Sequence, residues 1–339
     1  MMCTNECDLK ICGLTVVLQP APSQNAVLLT EWLSDFEFLP VWVPLPKIKG
    51  VIKAMVVLQD AANYAALMQK IVRRIAHRET TVIWMGKCYE VAGIQSHTDS
   101  LYILELPFFP SAPLPPTLGR AIHAQCFEWL GKADAVLTES LHAKDIFPIT
   151  LAVKPTGAPA QMCLRISVLR GDLLAPLLWG MSADIGEKIT FTGISCRLGK
   201  AVQIRASNTF EELLKVPAQN ILDLEFVSPT SFKQRHTIQP FPVPDLVFGS
   251  LWRRWNAFAP LSCHFPEIEW QAYTAGYDLQ TYAMKMKGGP EIGCKGIIRY
   301  EVPDSEQAKI ATILAHFARY SGVGRKTAMG MGQTHLKIL

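Results

Sequence analysis

The stretch Ser321-Gly-Val-Gly-Arg-Lys-Thr-Ala-Met-Gly-Met-Gly-Gln333 decides how the rest of the chain is read. Four glycines, Gly322, Gly324, Gly330 and Gly332, form two Gly-x-Gly pairs around Arg325, Lys326 and Thr327. Upstream, Ile310, Ile313, Leu314, Phe317 and Ala318 recur at helical spacing and predict a helix over 307–320. Downstream, residues 334–339 alternate as a closing strand. Glycine admits positive φ and close backbone approach, so such a loop can turn several N–H groups toward one anion. Arg325 and Lys326 add charge to that cradle, and its expected ligand is phosphate-rich.

Two nucleotide-site readings fail on context. A dinucleotide site needs its glycines after a strand and opening a helix, whereas the order here is helix, loop, strand. Gly324-Arg-Lys-Thr327 has the end of a Walker loop but not its Gly-x-x-x-x-Gly lead-in. A glycine-rich turn that binds nothing remains the alternative for the loop taken alone.

Length and composition set the frame. The 339 residues suffice for two or three domains, and 49% hydrophobic with 18% charged residues describes a folded chain. No apolar run has the length of a membrane span, and the start lacks the basic region of a signal peptide. The expected location is the cytoplasm. Nine cysteines include no Cys-x-x-Cys pair, so they read as reduced thiols, against the alternative of a metal held by Cys3, Cys7 and Cys12 with a distant histidine. Neither a metal nor a cofactor is expected. From Glu187 onward, 18 Lys and Arg stand against 13 Asp and Glu, so the excess base lies in the half that holds the glycine loop.

In chain order, residues 1–97 read as an additional N-terminal α/β region with strands at 14–18, 51–58 and 80–85 and an amphipathic helix over 61–77. Arg73 and Arg74 on that helix, with Arg78 just after it, read as a solvated face. From residue 98 the pattern becomes β-α-β-β-α-β. A strand at 101–106 meets proline-rich 107–116, which is expected to stop regular structure. Thr117 then caps a helix to about residue 130, with strands at 147–152 and 162–169, a second helix over 171–182 and a fourth strand at 189–196. A more irregular copy follows: a strand at 221–227, a helix over 247–258, a strand at 292–302, then the last helix and strand. Residues 258–290 stay unassigned. The fold class expected is α+β, with two tandem ferredoxin-like (RRM-like) domains over 98–206 and 207–339.

Three segments carry a family resemblance. The paired-glycine loop before a last strand, Leu224-Glu-Phe-Val-Ser-Pro-Thr-Ser-Phe232 and Gly293-Cys-Lys-Gly-Ile-Ile-Arg-Tyr300 together resemble the repeat-associated RNA-binding (RAMP) proteins of CRISPR systems. Among them the chain is most similar to the CRISPR repeat-processing endoribonucleases of the Cas-six family, from about residue 100 to the end. That resemblance implies two ferredoxin-like units side by side and an endoribonuclease that cuts CRISPR repeat RNA. It implies a general acid/base histidine after the first helix of the first unit and a second polar residue projecting from that helix. His142, in Ser140-Leu-His-Ala-Lys144, and His123 match those places, and Lys144 is near enough to His142 to supply charge. An isolated histidine near a helix end is more often a surface or satisfied core residue, and that reading stands beside the catalytic one.

The chemistry suits two histidines. RNA carries its own nucleophile, the 2′-hydroxyl, so neither a metal nor an activated water is required. A base for that hydroxyl, an acid for the 5′-oxygen and cations for the phosphorane charge suffice. Arg253 and Arg254, in Leu251-Trp-Arg-Arg-Trp255, join the loop as expected RNA contacts; about 100° apart on a helix, one is expected to reach RNA while the other pairs locally. His316, Lys233 and Arg235 are further candidates. The expected partners are CRISPR repeat RNA, mature guide RNA and other subunits of an effector complex, with no membrane. A non-catalytic guide-RNA-binding subunit of such a complex is the alternative function.

Overall fold

The computed structural model describes residues 11–22, 25–115, 118–143, 145–158, 160–286 and 289–337. Cys3, Cys7, Thr117 and Lys144 therefore lie outside the described residues. The N-terminal region is a mixed sheet: β1 (Gly13–Pro20), β2 (Val27–Leu28), β3 (Val41–Pro44), β4 (Ile52–Val57), α1 (Tyr64–Ala76), β5 (Thr81–Trp84) and β6 (Lys87–His97). Its strand order is β2-β5-β6-β1-β4-β3, antiparallel except where β2 meets β5. The long β6 was not expected, because only Tyr89 and Val91 along it are buried apolar residues. On α1, Arg74 spans Asp35 and Glu79 at 2.7 Å each, so that cation works within the fold.

The first ferredoxin-like unit runs through β7 (Leu101–Pro110), α2 (Leu118–Ala133), α3 (Ala135–His142), β8 (Ile149–Pro155), β9 (Met162–Val168), α4 (Leu174–Ser182), β10 (Lys188–Phe191), β11 (Ile194–Leu198) and β12 (Gln203–Asn208). Its sheet is ordered β10-β11-β7-β9-β8, with β12 also on β7. Three expectations are corrected here. The prolines do not stop β7 at residue 106. β12 pairs residues 101–105 and β11 pairs 108–110 on the same side of β7, so Pro107 falls in the gap, where no ladder N–H is demanded. The expected strand at 189–196 is a hairpin, split at Thr192 and Gly193, whose φ values of 51° and 82° make the tight primed turn. The segment before β8 is a helix, α3, capped where the Asp134 carboxylate accepts from the Leu137 N–H at 2.9 Å.

The second unit comprises α5 (Phe210–Leu213), β13 (Ile221–Thr230), the ribbon β14 (Phe232–Gln234) and β15 (Thr237–Gln239), α6 (Pro244–Phe258), β16 (Tyr273–Met286), β17 (Gly289–Glu301), α7 (Ser305–Ser321) and β18 (Thr334–Lys337). Its order, β16-β17-β13-β18, repeats that of β8-β9-β7-β11: second, third, first, fourth. The chain is thus α+β with two ferredoxin-like sheets. The unassigned stretch supplies β16, whose side chains are mostly exposed, so its sequence lacks a one-face apolar pattern.

Packing ties the three sheets together. Nearly every residue of α4 is buried, and the helix shares one core with β7, β9 and the N-terminal β1, β3 and β4. An all-round apolar helix needs cover on every side, and the N-terminal sheet provides part of it. Leu101, Ile103 and Leu169 of the first unit belong instead to the core of the second. Across that junction Thr150 Oγ1 donates to the Tyr320 carbonyl at 3.1 Å, and Arg165 Nη2 to the Arg319 carbonyl at 2.6 Å.

Candidate active site

Two of the sequence-predicted residues meet in one aromatic cluster. His123 lies on α2 one turn before Phe127, and their rings approach to 4.8 Å. His142, the last residue of α3, stacks on Phe127 at 3.9 Å with an interplanar angle of 16°. Phe147 stacks on Phe127 at 4.7 Å and meets His123 at 5.3 Å. The turn that folds α3 back along α2 is what brings His142 to a helix that ends nine residues earlier. His142 is exposed and His123 half-buried. Burial first, then the nearby His142 and Arg120, lower the pKa of His123 from its ordinary 6.5. At neutral pH His123 is therefore the uncharged imidazole, the form that accepts a proton.

The glycine loop is built differently from the cradle expected. Seven of its N–H groups turn inward: Gly322 donates to Ala318, Val323 to Gly332, Gly324 to Ser250 Oγ, Arg325 to Ser231, Met329 and Met331 to Lys326, and Gly332 to Pro229. Gly322, Gly324, Gly330 and Gly332 all have positive φ, as does Lys326. Gly324 and Gly332 are required twice over, since a Cβ on the first would fall on the Ser231 carbonyl oxygen and on the second on that of Val323. Thr327 is buried, with its methyl between Gly322 and Gly332. The glycines hold the loop against β13 and α6, and Lys326, Thr327 and Ala328 are left facing a pocket.

Those charges are partly met. Arg325 Nη1 lies 3.0 Å from Glu291 on β17, and Lys326 binds the other oxygen of the same carboxylate. The sequence reading missed Glu291, which is distant in sequence and part of no motif. Arg254 donates from Nη1 to the Ser321 carbonyl at 3.2 Å and from Nη2 to that of Gly324 at 3.4 Å. It has no ion pair with a carboxylate among the described residues. Burial, then Arg253, pushes its pKa down to about 10, which leaves it cationic. Arg253 is exposed, so one arginine pairs locally while the other faces solvent.

Both arginines line a pocket of about 250 Å³ with Lys326, Thr327, Ser250, Asp145 and Phe147. Phe147 thus belongs to the pocket and to the histidine cluster, which sets a cationic recess beside two imidazoles. A guanidinium with only carbonyl partners in such a recess favours an anion. His316 is half-buried on α7 and its pKa is lowered by burial, while Lys233 and Arg235 stand on the exposed β14–β15 ribbon; none of the three lines this pocket. Among the described residues no three His, Cys, Asp or Glu side chains converge as metal ligands do. No helix described is long and apolar enough to cross a membrane.

Residues 224–334 match the family model of the CRISPR-associated endoribonuclease Cas6. A CRISPR-associated endoribonuclease Cas6 of Mycobacterium tuberculosis is 24% identical over 289 residues, covering 78% of this chain and 89% of that protein. A Cas6 product complex superposes with a TM-score of 0.63 at 25% identity, covering 70% of this chain and 100% of the other. Thermus thermophilus Cas6 gives 0.55 at 25% identity, covering 71% and 100%. The match of 224–334 contains both the Ser-Pro-Thr segment and the glycine loop. The chain is therefore similar to the CRISPR-associated endoribonuclease Cas6, in sequence over 224–334 and in fold over most of its length.

Proposed function

We propose that the chain is an endoribonuclease of CRISPR RNA maturation that cuts repeat RNA without a metal. The 2′-hydroxyl attacks the adjacent phosphate, forming a 2′,3′-cyclic phosphate and expelling the 5′-oxygen. His123, neutral at working pH, and His142 divide the proton transfers. Arg253, Arg254 and Lys326 stabilise the phosphorane charge. The reading is carried by one observation: both histidines pack in a single aromatic cluster whose Phe147 also lines the cationic pocket. The relationship to Cas6 supports the substrate, and the cut RNA and companion effector subunits belong to the same proposal. The arginines and lysine of the loop region act mainly on the RNA backbone, as shape-directed recognition of RNA requires.

The test is incubation with end-labelled repeat RNA in excess EDTA. Cleavage persists, and it stops when the nucleotide upstream of the cut lacks its 2′-hydroxyl. Activity abolished by EDTA and restored by magnesium removes this mechanism. Tight binding of repeat RNA that is never cut leaves the non-catalytic guide-RNA-binding subunit as the function.

A further inference from the structure

The single helical turn over Thr327–Met329 has different surroundings on its two sides. Toward α6, Lys326, Thr327 and Ala328 face the cationic pocket. Toward β8, Met329 and Gly330 wall a second cavity, of about 230 Å³, with Leu118, Ile122, Met162 and Met284 among its lining. Nothing in the cleavage mechanism uses this second cavity. It is smaller than the roughly 300–1,000 Å³ of sites that take drug-sized ligands, which suits a single flat ring system. Three thioether side chains make its walls soft and polarisable, favourable against an aromatic face.

One wall of the cavity is the outer edge of its sheet. β8 is the terminal strand beside β9, and Leu151, Ala152 and Val153 line the cavity. Pro148 accepts from the Leu169 N–H at 2.8 Å, and Thr156 donates to Gln161, so even-numbered β8 residues face β9. The N–H and C=O of Leu151 and Val153 therefore point along the open edge. An apolar slot with alternating backbone donors and acceptors at its rim matches a base: faces without hydrogen-bonding groups, edges with both kinds.

The two pockets are also joined through α2. Gly119 and Ile122 line the apolar cavity, and His123 is the next residue of the same helix. A Cβ on Gly119 would fall on the Met329 carbonyl oxygen, so the short turn rests directly on α2. Ala328 and Met329, one on each pocket, are consecutive residues about 3.8 Å apart. A strand with a phosphate in the cationic pocket brings a neighbouring nucleotide to the mouth of the other.

We propose that the cavity between β8, α2 and Met329 receives one unstacked nucleobase of the RNA and so fixes the register of the strand at the histidines. The inference rests on the RNA-cleavage reading above. Single-stranded RNA is recognised through splayed bases held in such slots, whereas phosphate contacts alone leave register free.

The experiment measures binding of uncleavable repeat RNA, carrying a 2′-deoxy nucleotide at the cut, to wild type, Ala152→Phe and Met284→Ala. Ala152→Phe fills the cavity and Met284→Ala removes a wall; thermal melting confirms that each is folded. Abasic nucleotides are placed at successive positions. With wild type, one abasic position weakens binding about 10-fold, the scale of one stacked base. With either variant the intact RNA binds about 10-fold more weakly, and the same abasic position costs nothing further. Should Ala152→Phe not fold, Met284→Ala, at the exposed end of β16, gives the same readout. Variant and abasic losses that add independently at every position overturn the base pocket and leave the RNA reading intact. Wild type that binds no repeat RNA overturns both.

Discussion

Replacing Gly332 by alanine separates the loop's architecture from its binding. Gly330 is the control, because both residues have positive φ, 73° and 97°. Each alanine pays the left-handed backbone cost of about 1–2 kcal/mol. At Gly330 nothing more is added, since its Cβ would meet only the Met284 methyl at 4.0 Å. At Gly332 the new methyl lands on the Val323 carbonyl oxygen, so the two arms of the loop must part. Parting them breaks the Val323 N–H to Gly332 bond at 2.8 Å and the Gly332 N–H to Pro229 bond at 3.1 Å. Each buried bond contributes about 1 kcal/mol, rising where a partner is left unsatisfied. The totals are about 3–5 kcal/mol for Gly332→Ala against about 1–2 for Gly330→Ala. Urea denaturation followed by circular dichroism reads the difference as a shift in midpoint at constant slope. Equal losses within about 1 kcal/mol would refute the reasoning, because the close approach would then contribute nothing.

His142→Ala lowers the single-turnover cleavage rate by about 100-fold or more, while binding of uncut repeat changes little; His123→Ala also slows cleavage, and each variant loses one limb of the pH–rate profile. Wild-type rates in both would remove the catalytic assignment. Arg325→Ala with Lys326→Ala reduces the salt dependence of RNA binding, and Glu291→Gln acts oppositely by freeing both cations; a salt slope unchanged in every variant contradicts a phosphate role for the loop. Asp35, hydrogen-bonded by Lys70 and Arg74, has its pKa lowered from 3.8 to about 2. Its folded pKa being the lower one, its contribution is present above about pH 4 and lost as the pH falls toward 2. Acid titration of wild type should therefore show stability falling over that window, and Asp35→Asn should show less of it.

Much of the fold was legible because its elements are one-sided. α7, α2 and β9 alternate or recur cleanly, and their observed bounds differ from expectation by a few residues. β16 was illegible for the opposite reason, since a strand exposed along most of its length has no apolar phase to read. Pro107 misled because proline is a breaker only where its missing N–H is needed. Leu174-Ala-Pro-Leu-Leu-Trp-Gly-Met181 carried a signal the sequence reading did not use: apolar on every side, it announced that something must cover the helix beyond its own sheet. At the candidate site, His123 and Phe127 at i and i+4 were readable as neighbours, but the return of α3 that stacks His142 on Phe127 was not. Glu291 lay beyond any local rule, because β17 meets the loop only through tertiary packing.

The shared core around α4 has a consequence for how the chain is made. Synthesis delivers β1–β6 first, yet the helix that covers their inner face begins at Leu174, 77 residues after β6 ends at His97. At the usual ~5–20 residues per second, the ribosome leaves Val43, Met55 and Val57 without that partner for roughly 4–15 s. During that interval the nascent sheet is an adhesive surface, exposed to chaperones and to neighbouring nascent chains. A version trimmed to begin at β7 would inherit the complementary hazard for good, with α4 laid open to water in the finished protein.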